Sequence, residues 1–259
     1  MNLRIADLFK LDGKVAVVTG GSRGIGYMIA SGLVANGVKV FITSRKADAC
    51  DAAALELGEL CTSVPADLTT ADGIETVRSA VSAEHDALHI LVNNAGATWG
   101  APIDEFPEIG FDKILDINVK APFMVTQAFL PLLRAAGDHV DPARIVMVGS
   151  IDGLRVSPMP TFSYSASKAG IHHMGRQMAH ALVGDHITVN CIAPGPFESD
   201  MMAFALNDEA MRAAVEAEVP RKRIGTPEDV AGTVIYLASR AGAYITGTVI
   251  AIDGGMATK

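Results

Sequence analysis

The chain has 259 residues, 49% of them hydrophobic and 25 of them glycine, which suits one soluble α/β domain over 1–259 with a large core and tight turns. Its net charge of −8 and the lack of any sustained Lys/Arg run argue against nucleic acid as a partner. Cys50, Cys61 and Cys191 are odd in number and lack CxxC spacing, so neither a disulfide framework nor a metal site is expected. No stretch is long and apolar enough to span a bilayer, and the N-terminus to Lys14 has no continuous apolar core, so a cytoplasmic protein without a membrane partner is expected.

Along the chain, short β-branched runs alternate with longer amphipathic stretches. Strands are predicted over 14–19, 38–43, 61–65, 88–92, 144–149, 187–192 and 249–252, and helices over 25–36, 47–58, 70–85, 107–134, 161–183 and 227–239. Nearly continuous apolar strands such as Val15-Ala16-Val17-Val18 imply a sheet covered on both sides. The expected architecture is a Rossmann-type, doubly wound parallel sheet of about seven strands with helices on both faces. Gly20, Asn93, Ser150 and Pro194 all fall just after predicted strands, where such sheets bind ligands. Two segments read as irregular: 137–143, a surface loop, and 194–220, which follows a strand end and is a candidate lid.

The first predicted strand runs into Gly20-Gly21-Ser22-Arg23-Gly24-Ile25-Gly26, and a helix follows at once. Glycines there let the backbone approach a pyrophosphate, whose charge meets the free N–H groups of the helix N-terminus. The spacing is GxxxGxG. The second strand ends in Ser44-Arg45, with no carboxylate to take the two ribose hydroxyls of NAD. Arg45 and Arg23 would instead bind a 2′-phosphate through charge-assisted hydrogen bonds, so NADP(H) is the expected cofactor. The bland alternative is two solvated surface arginines.

Tyr164 and Lys168 lie four residues apart on a predicted helix, which sets a phenol and an ammonium on one face, downstream of Ser150. A phenol titrates near pH ~10, and a neighbouring ammonium lowering that by roughly 2–3 units would make it a proton donor and acceptor near neutrality.

Together the GxxxGxG turn, Asp67-Leu68, Asn93-Asn94-Ala95-Gly96, Asn118, Ser150, Tyr164 with Lys168, Pro194-Gly195 and Asp253-Gly254-Gly255 resemble the short-chain dehydrogenase/reductase family across essentially the whole chain. Within it, the runs 93–100, 142–144 and 242–247 are similar to a 3-oxoacyl reductase. The resemblance implies that Asp67 contacts the adenine, that Asn93 stabilises the sheet near the cofactor, and that Pro194-Gly195 faces the nicotinamide. It places Ser199 where the family has a threonine on the carboxamide. It also implies a catalytic set of Asn118, Ser150, Tyr164 and Lys168. Tyr164 would give its proton to a carbonyl that Ser150 hydrogen-bonds, Lys168 would bind the nicotinamide ribose, and Asn118 would hold a proton-relay water. Family members are usually tetramers, so a homotetramer or homodimer built on 107–134, 161–183 and the C-terminal strand region is implied. Without the resemblance, Asp67 reads as a helix cap and Asn93-Asn94 as a turn.

Phe197, Met201, Met202, Phe204 and Leu206, with Trp99, Met159 and Phe162, would form an apolar wall suited to a hydrophobic ketone. The family also acts on sugars, steroids and xenobiotic ketones, and a catalytically silent NADP-binding regulator is the rival from another class. A nucleophilic Ser150 lacks an evident general-base histidine; His172 and His173 read as packing or surface residues.

Overall fold

The computed structural model describes residues 3–199 and 202–258. A short helix α1 (Ile5–Leu8) precedes β1 (Val15–Thr19), followed by α2 (Gly24–Ala35), β2 (Lys39–Ser44), α3 (Ala47–Leu57), β3 (Cys61–Pro65), α4 (Ala71–Glu84) and β4 (Ile90–Asn93). The second half adds α5 (Glu108–Leu115), α6 (Ala121–Ala136), β5 (Ala143–Val148), α7 (Phe162–Leu182), β6 (Ile187–Pro194), α8 (Ala203–Leu206), α9 (Glu209–Glu218), α10 (Pro227–Ala238) and β7 (Val249–Ile252). The seven strands pair in parallel in the order β3-β2-β1-β4-β5-β6-β7. The chain therefore steps outward from β1 to β3, returns to β4 beside β1, and runs on to β7. That reversal opens a crevice at the carboxyl ends of β1 and β4, the topological switch point of such sheets.

Two cores follow from the two-residue strand repeat. Val15, Val17, Phe41, Leu91 and Met147 pack with Val77 of α4, Phe129 and Leu133 of α6, and Ile171 and Met178 of α7. Ala16, Val18, Ile42, Ile90 and Val148 pack with Ile29 and Leu33 of α2, Ala53 of α3, and Val234 and Leu237 of α10. Each fully buried Leu, Ile or Phe contributes roughly 1.5–3 kcal/mol, so neither face can be left to water.

The structure departs from the expected elements in several places. The helix expected over 107–134 is two helices joined by a π-turn, Asp116–Lys120. Pro122 supplies the reason: it has no N–H to give the carbonyl of Asn118, and its ring would press on that carbonyl in an unbroken α-helix. The fourth and sixth strands end later than expected, so Asn93 and Pro194 are their last residues and do not follow them. The stretch 194–220 is not irregular throughout, for it forms α8 and α9, the latter capped by Asp208, whose side chain accepts from Met211 N at 2.8 Å. Met201 lies outside the described residues.

Candidate active site

The glycine turn is built by close approach. A Cβ on Gly26 would lie 2.3 Å from the carbonyl oxygen of Gly20 and 2.4 Å from Asn94 Nδ2, which only glycine permits. Gly20 and Gly24 have φ of +65° and +54°, in the left-handed region that favours glycine. The turn delivers the N-terminus of α2 to the crevice. Thr19 locks it to the neighbouring strand: its hydroxyl donates to Val92 O at 3.2 Å and accepts from the N–H groups of Asn94 and Ala95 at 2.8 and 2.9 Å. The Asn94 amide donates to the carbonyls of Thr19 and Gly20 at 2.8 and 3.1 Å, so this side chain braces the turn. Sequence reasoning missed Thr19 because a β-branched residue ending a strand carries no signal of its own.

Asn118 acts at one remove. It is buried in the π-turn and its side chain does not line the cavity: Oδ1 accepts from Ala97 N at 2.9 Å, and Nδ2 donates to Ala97 O and to Ser167 Oγ, each at 2.9 Å. Ser167 Oγ in turn donates to Tyr164 O at 2.7 Å. The amide thus ties the 93–97 loop to the helix that bears Tyr164. Its side chain is fully engaged with Ala97 and Ser167, which leaves its main-chain carbonyl, without an α-helical donor because of Pro122, as the group able to take a water. Ala97 and Ser167 were not singled out in the sequence; only Pro122 hinted at a special backbone here.

Ser150, Tyr164 and Lys168 meet at the carboxyl end of β5. Ser150 is buried and caps a 3-10 turn over Ile151–Gly153, its hydroxyl accepting from Asp152 N at 3.1 Å. It also hydrogen-bonds the Tyr164 hydroxyl. Lys168 is 5% exposed, sits with Nζ 5.5 Å from the centroid of the Tyr164 ring, and donates to Val148 O at 2.8 Å. Burial lowers its pKa to about 8. The expected depression of the phenol is not found. Burial pushes Tyr164 up to about 12; the hydrogen bond from Ser150 opposes that shift and the Asp152 charge adds to it. Desolvation of an anion-forming group outweighs an ammonium that stands over the ring and points to a carbonyl.

These groups share one cavity of about 1010 Å³ with the glycine turn. It is lined by Gly20, Ser22, Arg23, Gly24, Ile25 and Gly26 at the turn, Ser44 and Arg45 after β2, Asp67 and Leu68 after β3, Asn94, Ala95 and Gly96 after β4, and Pro194, Gly195 and Ser199 after β6. Every expected site residue except Asn118 therefore borders it. Asp67 holds an Asx turn, Oδ1 accepting from Thr69 N at 3.0 Å and Thr69 Oγ1 at 2.7 Å. Those bonds keep its carboxyl below its ordinary pKa, with a smaller contribution from Arg45. The cap of α4 is Thr70, not Asp67. Buried Asn93 ties β4 to α6 through Thr126 Oγ1 at 3.0 Å.

The expected apolar wall is only partly formed. Phe197, Met202 and Met159 line the cavity together with Ile109 and Met211, whereas Leu206, Trp99 and Phe162 do not. Trp99 packs on Gly110 under Lys113, and Phe162 against Phe106. No side-chain placement is described for Phe204. Asp112, Lys113, Asp116, Asp152 and Arg155 border the same space, so the wall is mixed. His172 is buried against Gly149 and held neutral, its pKa lowered to about 4 chiefly by burial; His173 is exposed. Among the described residues no group of three or more His, Cys, Asp or Glu side chains is placed to hold a metal, and no helix is long and apolar enough to cross a membrane.

Comparison with known proteins agrees with this geometry. Residues 20–257 match a sequence family described as Enoyl-(Acyl carrier protein) reductase. The chain is 44% identical over 249 residues to the rhamnolipids biosynthesis 3-oxoacyl-[acyl-carrier-protein] reductase of Pseudomonas aeruginosa, covering 95% of this chain and 97% of that protein. It is 34% identical to the short-chain dehydrogenase/reductase PhomF of Diaporthe leptostromiformis, covering 98% and 94% of the two chains. The solved Pseudomonas aeruginosa RhlG/NADP active-site complex superposes with a TM-score of 0.93 at 44% identity over 96% of this chain and 98% of that one. With a family match over residues 20–257 and relatives 34–44% identical across nearly the whole of both chains, the chain belongs to the short-chain dehydrogenase/reductase family.

Proposed function

We propose that this chain is an NADP(H)-dependent oxidoreductase that interconverts a ketone and a secondary alcohol, with a 3-oxoacyl or similar hydrophobic carbonyl compound as substrate. The observation that carries the reading is the single cavity shared by the glycine turn and the Ser150–Tyr164–Lys168 cluster, which brings a dinucleotide cradle to a proton donor. The residues present suit the cofactor. The close-packed Gly20 and Gly26 leave room for a pyrophosphate at the α2 N-terminus, and Arg23 and Arg45 border the far end where a 2′-phosphate would lie. Asp67 and Leu68 flank the adenine region, and Pro194, Gly195 and Ser199 the nicotinamide region.

When bound, NADPH supplies the hydride. Ser150 donates a hydrogen bond to the substrate carbonyl oxygen, polarising the bond, and Tyr164 gives that oxygen its phenolic proton as the carbonyl carbon is reduced. Lys168, buried and only singly bonded to protein, is free to swing to the nicotinamide ribose, and its low pKa lets it pass protons toward Tyr164. Asn118 holds Ala97 and α7 in register and so positions the donor. Phe197, Met202 and Met211, on the cavity after β6, would cover the substrate.

The reported activity of the Pseudomonas relative favours a 3-oxoacyl thioester over a sugar, as do Met159, Met202, Ile109 and Met211. Exposed Phe111, Phe123, Met124 and Phe162 on α5 to α7 support association of copies, a tetramer or dimer. The test is cofactor absorbance with NADPH or NADH and a panel of medium-chain 3-oxoacyl thioesters, diketones, steroids and sugars. Faster NADPH oxidation with the thioesters is expected. Turnover of no carbonyl compound would favour the silent-regulator reading, and tighter binding of NADH would overturn the cofactor assignment.

A further inference from the structure

The charged and apolar side chains that border the cavity come from different elements. The charged ones nearest the reacting groups are Asp152 and Arg155 after β5, and Asp112, Lys113 and Asp116 around the end of α5. The apolar ones follow β6: Phe197, Met202, Met211 and Val215, joined by Met256 from the 3-10 turn at the end of the chain. In these last elements only Glu218, among the described residues, brings a charge to the cavity, and it is exposed. The supports differ as well. α5 packs on α7, whereas Met256 packs on Val219, the residue that ends α9, and on Ile151, the neighbour of Ser150. A substrate whose ketone meets Ser150 and Tyr164 therefore finds apolar surface for its alkyl chain on the Met256 side.

The backbone that carries Met256 is held in place on several sides. Asp253 accepts from Gly255 N at 2.9 Å and from Ala257 N at 2.6 Å, which folds the end of the chain into its turn. Gly254 O accepts from Arg221 N at 3.2 Å, and a Cβ on Gly254 would lie 2.6 Å from Val219 Cγ1, so glycine there lets the turn close on the end of α9. Met256 itself is 6% exposed and forms, with Ile151 and Val219, a small core apart from the two cores of the sheet. Ile151 and Met256 border the cavity; Val219 backs them from behind. We propose that Met256 is a specificity-determining residue: the alkyl chain of the substrate packs against it, and its bulk sets the acyl length that the site accepts. An unbranched thioether suits the task, since it fills irregular apolar space, while the fixed backbone keeps the wall from yielding to a longer chain.

The inference rests on the 3-oxoacyl reading, and the experiment separates the two. Turnover with NADPH is measured for 3-oxoacyl thioesters of graded chain length, and the matching 3-hydroxyacyl thioesters are titrated calorimetrically into the protein saturated with NADP. Each methylene taken up by an apolar surface is worth roughly fourfold in affinity. Met256→Ala removes about three methylene-sized groups, so kcat/KM for a thioester two carbons beyond the wild-type optimum should rise about 10-fold relative to that optimum. Met256→Phe should move the optimum to shorter chains, and Met256→Leu, of similar volume, should keep the wild-type profile. The binding series should move in the same directions. NADPH affinity should stay within about twofold of wild type in all three variants. The same profile in the Ala and Phe variants, or an equal loss at every length as a plain core residue would give, would overturn the proposal. So would a fall in NADPH affinity with an unchanged profile, which would assign Met256 to the cofactor. A binding profile that shifts in a protein that turns over no carbonyl compound would sink only the reductase reading.

Discussion

The two ends of one sheet each bury a cation, and they treat it differently. At the amino end, Arg144 of β5 is 1% exposed and donates to Leu237 O and Ser239 O at the end of α10 and to Asp141 Oδ1, each at 2.9 Å. Lys14, just before β1, joins Asp141 Oδ2 at 2.8 Å and Ala238 O at 3.3 Å. Two cations thus close the carbonyl end of α10 around a shared carboxylate, matching the helix dipole. At the carboxyl end, Lys168 has one carbonyl, Val148 O, and no carboxylate partner among the described residues. The architectural cation is held by several acceptors, although its Nη1 has no partner among the described residues, while the one at the candidate site has a single acceptor and a pKa near the working range.

The largest effect that would sharpen this contrast is on turnover. Tyr164→Phe should lower kcat by about 10²- to 10⁴-fold, the usual contribution of a positioned proton donor, with NADPH affinity and urea stability near wild type. Wild-type kcat in that variant would remove the carboxyl end from the chemistry.

Next in size, Arg144→Met should cost about 3–5 kcal/mol in urea unfolding, because Asp141 and two helix carbonyls lose a buried partner. Its kcat per folded molecule should be unchanged. A loss below 1 kcal/mol would show that the amino-end network is no more a lock than the other.

Lys168→Met should do the opposite to stability, raising it by roughly 1–2 kcal/mol at pH 7 while abolishing activity. The pH dependence follows from its sign. Lys168 titrates at about 8 when folded against 10.5 when exposed, so between those values the unfolded chain binds the extra proton and stability rises with pH. Tyr164 ionises at about 12 when folded against 10.0 exposed, so above pH 10 the unfolded chain has lost more protons and stability falls. Urea unfolding across this range should give a rise and then a fall, with the rise missing from Lys168→Met and the fall from Tyr164→Phe. The smallest effect is expected at Arg45→Ala, about a 10-fold weaker NADPH affinity with NADH unaffected, read by fluorescence titration.

Much of this was legible beforehand, because strand and helix periods, glycine spacing and strand-end positions are local quantities. The alternation over 14–92 foretold β1 to β4 within two residues at each end, and Ser150 just after a predicted strand and Tyr164 and Lys168 in the first turns of a predicted helix were then gathered by the sheet. The π-turn at Asp116–Lys120 was not read, since helical periodicity runs through it and only the missing N–H of Pro122 betrays it. The engagement of Asn118 with Ala97 and Ser167 joins residues 21 and 49 positions away, beyond any spacing rule.

The sequence by itself determined a doubly wound sheet, a glycine turn between strand and helix with arginines in place of an acid nearby, and a phenol and an ammonium on one helix face, because each depends on residue type and short spacing. Only the tertiary structure decided the sign of the phenol's shift. Burial, the Ser150 hydrogen bond and the Asp152 charge reach Tyr164 from a strand end and turn 12 to 14 residues away, and desolvation belongs to the whole packed site.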